Sequence, residues 1–91
     1  MTPQGPQIGD LVYVTGCENG ELLLPEIILW DTPHLVRPIG IVRGTGPGDP
    51  CEGELVIILD IVILDEVPRY QIEATEGGAT GWVTDSFIPT G

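Results

Sequence analysis

The side chains capable of chemistry in this chain are few: one histidine, two cysteines, and fourteen carboxylates set against three arginines with no lysine. His34 follows Asp31 by three residues, but no serine or cysteine stands beside the pair in a motif, so a nucleophile–base–acid set is missing and His34 reads as a surface-loop residue. Asp60, Asp65 and Glu66 supply neighbouring carboxylates, yet no second acid is fixed opposite them, and solvated charge is the simpler reading. Asp49, within Gly46-Pro47-Gly48-Asp49-Pro50, lacks the alternating oxygen ligands of a calcium loop. Gly44-Thr45-Gly46 is not followed by a helix whose amides would hold a phosphate. These absences point away from an enzyme and assign no catalytic residue, metal or cofactor.

Cys17 and Cys51 both lie in turn-like sequence, Thr-Gly-Cys-Glu-Asn-Gly and Asp-Pro-Cys-Glu-Gly. Neither belongs to a Cys-x-x-Cys pair, and with one histidine they cannot complete a four-ligand zinc site without carboxylates. One disulfide and two free thiols both remain open, since the redox compartment decides between them.

The charge bounds the partners. A net charge of −11 with arginine only at positions 37, 43 and 69 cannot form the cationic stripe that displaces counterions from nucleic acid, and it disfavours anionic lipid equally. Solubility is the plainest role for so much acid on a chain of mean hydropathy +0.23. No basic and apolar leader of the secretory kind opens the sequence, and the longest apolar run, interrupted at Asp60, is far too short to span a bilayer. The compartment is left open.

The elements that must carry these residues read as strands. Thirteen glycines and nine prolines punctuate short runs rich in Val, Ile, Leu and Thr. Leu11-Val12-Tyr13-Val14-Thr15 opens the series, and Ile27-Ile28-Leu29-Trp30 and Ile39-Gly40-Ile41-Val42 follow. Residues 55–64 are dominated by β-branched side chains, which favours strand over helix. From Tyr70 the alternation is clean, with Tyr70, Ile72 and Ala74 on one face and Gln71, Glu73 and Thr75 on the other. Gly77-Gly78 permits a hairpin turn into Thr80-Gly81-Trp82-Val83-Thr84. The expectation is one all-β domain over residues 9–91, a small barrel of five to six short strands, after a flexible leader at 1–8.

The last third carries a recognisable pattern: Arg69-Tyr70-Gln71-Ile72, a glycine turn, Gly81-Trp82-Val83, then Phe87-Ile88. It resembles the bacterial SH3-like (SH3b) family, with Val12-Tyr13-Val14-Thr15 at the place of the opening strand and Leu29-Trp30-Asp31-Thr32-Pro33 at that of a Leu-x-x-x-x-Pro segment. The resemblance implies an SH3-like barrel whose members bind peptides or cell-wall components in a shallow groove near the loops. Five aromatic residues are present, and Tyr13, Trp30 and Trp82 are the candidates to line such a groove for a proline-rich or extended peptide; core packing is the alternative for both tryptophans.

Residues 55–64 raise a further expectation. Strict alternation puts Leu55, Ile57, Leu59, Ile61 and Ile63 on one side and Val56, Ile58, Asp60, Val62 and Leu64 on the other, so both faces are apolar. One face fills a barrel; the other needs a cover. The connection at 18–38 could fold over it, a bulge near Asp60 could exchange the faces midway, or Val56, Ile58, Val62 and Leu64 form an interface with a partner or a second copy. The functional expectation is a non-catalytic module for a protein or peptide partner, with a structural subunit of a homo-oligomer, virion or filament as the alternative.

Overall fold

The computed structural model describes residues 5–89. In chain order it contains β1 (Leu11–Tyr13), β2 (Cys17–Glu18), β3 (Glu21–Leu22), β4 (Glu26–Trp30), β5 (Pro38–Arg43), β6 (Leu55–Leu64), β7 (Val67–Ala74) and β8 (Thr80–Thr84), then a 3₁₀ turn, Asp85–Phe87. The fold is all-β. β2 and β3 form a small ribbon, while the other six strands make one antiparallel sheet in the order β1-β6-β7-β8-β4-β5.

Two expectations need correction. Among the described residues the main sheet has six strands, within the expected count, but β6 and β7 are long, not short, and β2 and β3 add a separate ribbon. The sheet also does not close into a barrel: β1 and β5 are its two edges. Single hydrogen bonds, not a ladder, bring the ends together at one corner, where Glu54 N–H donates to Arg43 O and Gly16 N–H to Gly44 O. Glycine is required at that crossing, because a methyl group on Gly16 would overlap the carbonyl oxygen of Leu24. Residues 1–4 of the expected leader lie outside the described residues; Gln7 and Asp10 are tied by two hydrogen bonds, and Gly9 N–H reaches Ile58 O.

The turns follow from their residues. Asn19-Gly20 and Gly77-Gly78 place two consecutive residues at positive φ, as hairpin twist demands. Asp65 and Glu66 do the same between β6 and β7 without glycine, at φ 49° and 66°.

The core is built from Val14, Ile27, Leu29, Val42, Val56, Ile58, Tyr70, Ile72, Ala74, Val83 and Ile88. β7 obeys its sequence alternation, with Tyr70, Ile72 and Ala74 all buried. β6 does not. Ile58 stands opposite Ile72 and Asp60 opposite Gln71, so the pairing skips Leu59, a β-bulge. Val56 and Ile58 therefore point into the core at 0% exposure, and Ile61, opposite Tyr70, resumes the inward side. Val62, opposite Arg69, and Leu64 turn outward and are half-buried. The four-residue interface is corrected on this ground: the extra residue exchanges the faces, and the two halves of the expected patch lie on opposite sides of the sheet.

Candidate binding surface

β4 pairs with β5 along its whole length but with β8 only at Trp30↔Trp82. Gly81 makes that approach feasible, since a methyl group there would lie 2.6 Å from Leu29 Cβ and 3.0 Å from Trp30 O. Gly81 and Val83 oppose Ile72 and Tyr70 on the inner side, so Trp82, opposite Gln71, belongs to the outer face. Trp82 is nevertheless buried. The connection after β4 passes over this face: Arg69, two positions from Gln71 on the same side of β7, donates from Nη1 to Pro33 O at 3.3 Å. Its Nε is buried without a hydrogen-bond partner among the described residues. The connection after β4 thus reaches the outer face of β7 through Pro33.

Beyond Trp30 the two strands part. The gap is a slot of about 230 Å³ lined by Leu24, Ile27, Ile28, Trp30, Leu35, Thr84 and Phe87, with Glu26 the one charged residue at its wall. Leu35 holds φ 58°, a left-handed backbone that costs a β-carbon residue of order 1 kcal/mol, at the end of a turn in which its amide donates to Thr32 O. The outer face of β4 continues from the slot onto β5, where Ile28 opposes Ile41. Ile28, Ile39, Ile41 and Val36 are 45, 55, 52 and 72% exposed.

Of the three aromatics expected in a groove, the structure brings Trp30 and Trp82 together and leaves Tyr13 apart. Tyr13 pairs with Leu55 on β1, with β6 and β7 between it and β8. It borders a separate hollow of about 260 Å³ with Arg43, Glu54 and Glu76. Cys17 and Cys51 are joined in a disulfide with Cα atoms 5.3 Å apart, which ties the β2–β3 ribbon to the loop between β5 and β6. His34 sits exposed in a turn whose amide is held by Thr32 Oγ1 at 3.2 Å.

In comparison with known proteins, the chain matches no family model, no curated protein and no solved structure.

What the surface can bind is written in its charge. Residues 32–48 contain no aspartate or glutamate in a chain of fourteen, and they hold Arg37, Arg43 and His34. Two carboxylates match the two arginines in number here: Glu26 stands opposite Arg43 across the strands, and Asp31 Oδ1 accepts the Arg37 backbone amide at 3.1 Å. The β4–β5 face is therefore apolar and close to neutral. Sequence reasoning missed Ile28, Leu35, Ile39 and Ile41. The two-faced apolar count made on residues 55–64 would have found Ile28 and Ile41 had it been applied to Ile27-Ile28-Leu29-Trp30 and Ile39-Gly40-Ile41-Val42. Nothing local marks Leu35.

Proposed function

We propose that this protein is a non-catalytic binding module, an SH3-like small β domain that docks an apolar segment of a protein partner in the slot between β4 and β8. One observation carries the reading: β4 leaves β8 after a single paired position, opening an apolar recess beside Trp30 that continues onto the exposed face of β4 and β5. An extended chain with apolar side chains fits such a recess, because alternate residues of an extended segment fall on one side and can enter it. Nucleic acid and anionic membrane stay outside the reading for want of clustered cations.

The test is a titration of ¹⁵N-labelled protein with a proline- and leucine-rich decapeptide. Shifts of the Trp30 indole N–H and of the Ile28, Leu35 and Thr84 amides support the slot. Shifts confined to Tyr13, Glu54 and Glu76, or none at saturating peptide, count against it. The exposed β4–β5 face also favours a second reading, a subunit that packs into an assembly, and the mass of the protein in solution bears on that.

A further inference from the structure

We infer that the partner seated on the β4–β5 face is a second copy of this chain; the inference rests on the binding-module reading and names the occupant of that same surface. Ile28, Val36, Ile39 and Ile41 together expose the equivalent of a little over two whole aliphatic residues. With Trp30 and Leu35 behind them, this is a patch of a few hundred Å², comparable to the largest patch on a typical single protein, about 300–600 Å², which is often functional. A standard-size interface buries about 800 Å² per partner, and interfaces between identical copies are about 65% apolar, so the face supplies much of the apolar part of a reversible contact of that size.

Charge selects the occupant. Two chains of −11 repel wherever carboxylates face each other, and the stretch at 32–48 is the long segment of this sequence without any. Contact through it keeps the acidic remainder of both copies at the rim. A strongly acidic partner gains little, because the two arginines are matched in number by Glu26, opposite Arg43, and Asp31, on the Arg37 backbone amide. A strongly basic partner finds its carboxylates elsewhere, on β1, β6 and β7 and the turns beside them, where Asp10, Asp60 and Glu73 lie. The contact is face to face, not edge to edge. Pro38 opens β5, the pairing skips Ile39 between Gly40 and Pro38, and the Arg43 amide and carbonyl are taken by Glu54. These features blunt the edge against strand addition.

Sedimentation velocity across a concentration series, at about 20 mM and about 500 mM salt, tests this directly. The expected result is a reversible dimer that tightens as salt screens the mutual repulsion of the acidic bodies. Ile41→Glu and, in the loop before β5, Val36→Glu should each weaken it about tenfold or more with the far-ultraviolet spectrum unchanged. Leu11→Glu, on the opposite edge strand, should leave it alone. A single chain of 9.7 kDa at every concentration and salt overturns the inference, as does loss of the dimer in Leu11→Glu alone or a dimer that salt dissolves. Persisting peptide shifts at Trp30 in such a monomer would keep the slot while removing the second copy; absence of both would remove the slot as well.

Discussion

At one end of the sheet, β1 and β6 present Leu11, Tyr13 and Leu59 to water at 60, 46 and 38% exposure; at the other, β4 and β5 present Ile28, Ile39 and Ile41 to a similar degree. Apolarity does not distinguish these faces. Charge does, because Asp10, Asp60 and Glu73 interleave with the first, whereas on the second Arg37 and Arg43 are matched in number by Asp31 and Glu26. An apolar side chain among carboxylates is kept solvated by its neighbours, and copies are held apart; the same side chain on a neutral face has nothing to oppose its burial. The proposed association belongs on the β4–β5 side of this contrast.

The largest effect should come from the bulge that separates inner from outer residues on β6. Val56→Lys puts an unpaired charge at a fully buried position and should unfold the protein, while Val62→Lys, two to three turns of the pleat further on and half-buried, should melt within about 1 kcal/mol of wild type. Thermal melts followed by circular dichroism decide it. Equal loss in both variants would mean that the two faces are not exchanged at Leu59.

The disulfide comes next. Cys17 and Cys51 close a chain segment with a sequence separation of 34 beside the corner where β1 and β5 converge, and the loop-entropy account gives about 3–4 kcal/mol for a closure of that length. Urea unfolding with and without reductant should show that loss, and hydrogen exchange should rise first at Gly16, Gly44 and Glu54, before β7. Loss spread evenly over both ends of the sheet would blur the comparison.

A smaller effect follows from Tyr70, which lies in the core between the two faces. Burial, and to a lesser extent the Asp85 carboxylate, raise its pKa above the ordinary tyrosine value of 10.0. A raised folded-state value means that the native state holds the phenolic proton more tightly than the unfolded chain does. The stability from this source is thus complete below pH 10 and is lost as pH rises through the folded-state pKa. Asp85→Asn should lower the Tyr70 titration, followed by phenolate absorbance, by less than burial raised it. No movement would mean that the carboxylate does not act on the ring.

Much of this architecture is readable in the residues. Tyr70, Ile72 and Ala74 alternate with polar neighbours because β7 has one wet face, and Gly77-Gly78 marks its hairpin because two positive φ angles are needed there. The β-branched run at 55–64 is a strand for the steric reason given by its side chains. The exchange of faces within it was foreseeable as a bulge but not as Leu59, because the extra residue goes where a long strand must coil against β7, which no local pattern encodes. The parting of β4 from β8 after Trp30 is equally non-local: it depends on Gly81 admitting one close approach. That is why Trp30 and Trp82 are legible as a pair of interest, whereas the place of Tyr13 on β1, away from them, and that of Leu35 at the slot have no local signal.

The contrast between the two faces is tested most directly by recording ¹H–¹⁵N spectra of the wild-type protein while diluting it from about 1 mM to about 20 µM, a range that brackets weak self-association. Concentration-dependent shifts confined to Ile28, Trp30, Val36, Ile39 and Ile41 are the predicted result. Shifts that fall instead on Leu11, Tyr13 and Leu59, or a spectrum that does not change with concentration, would contradict it.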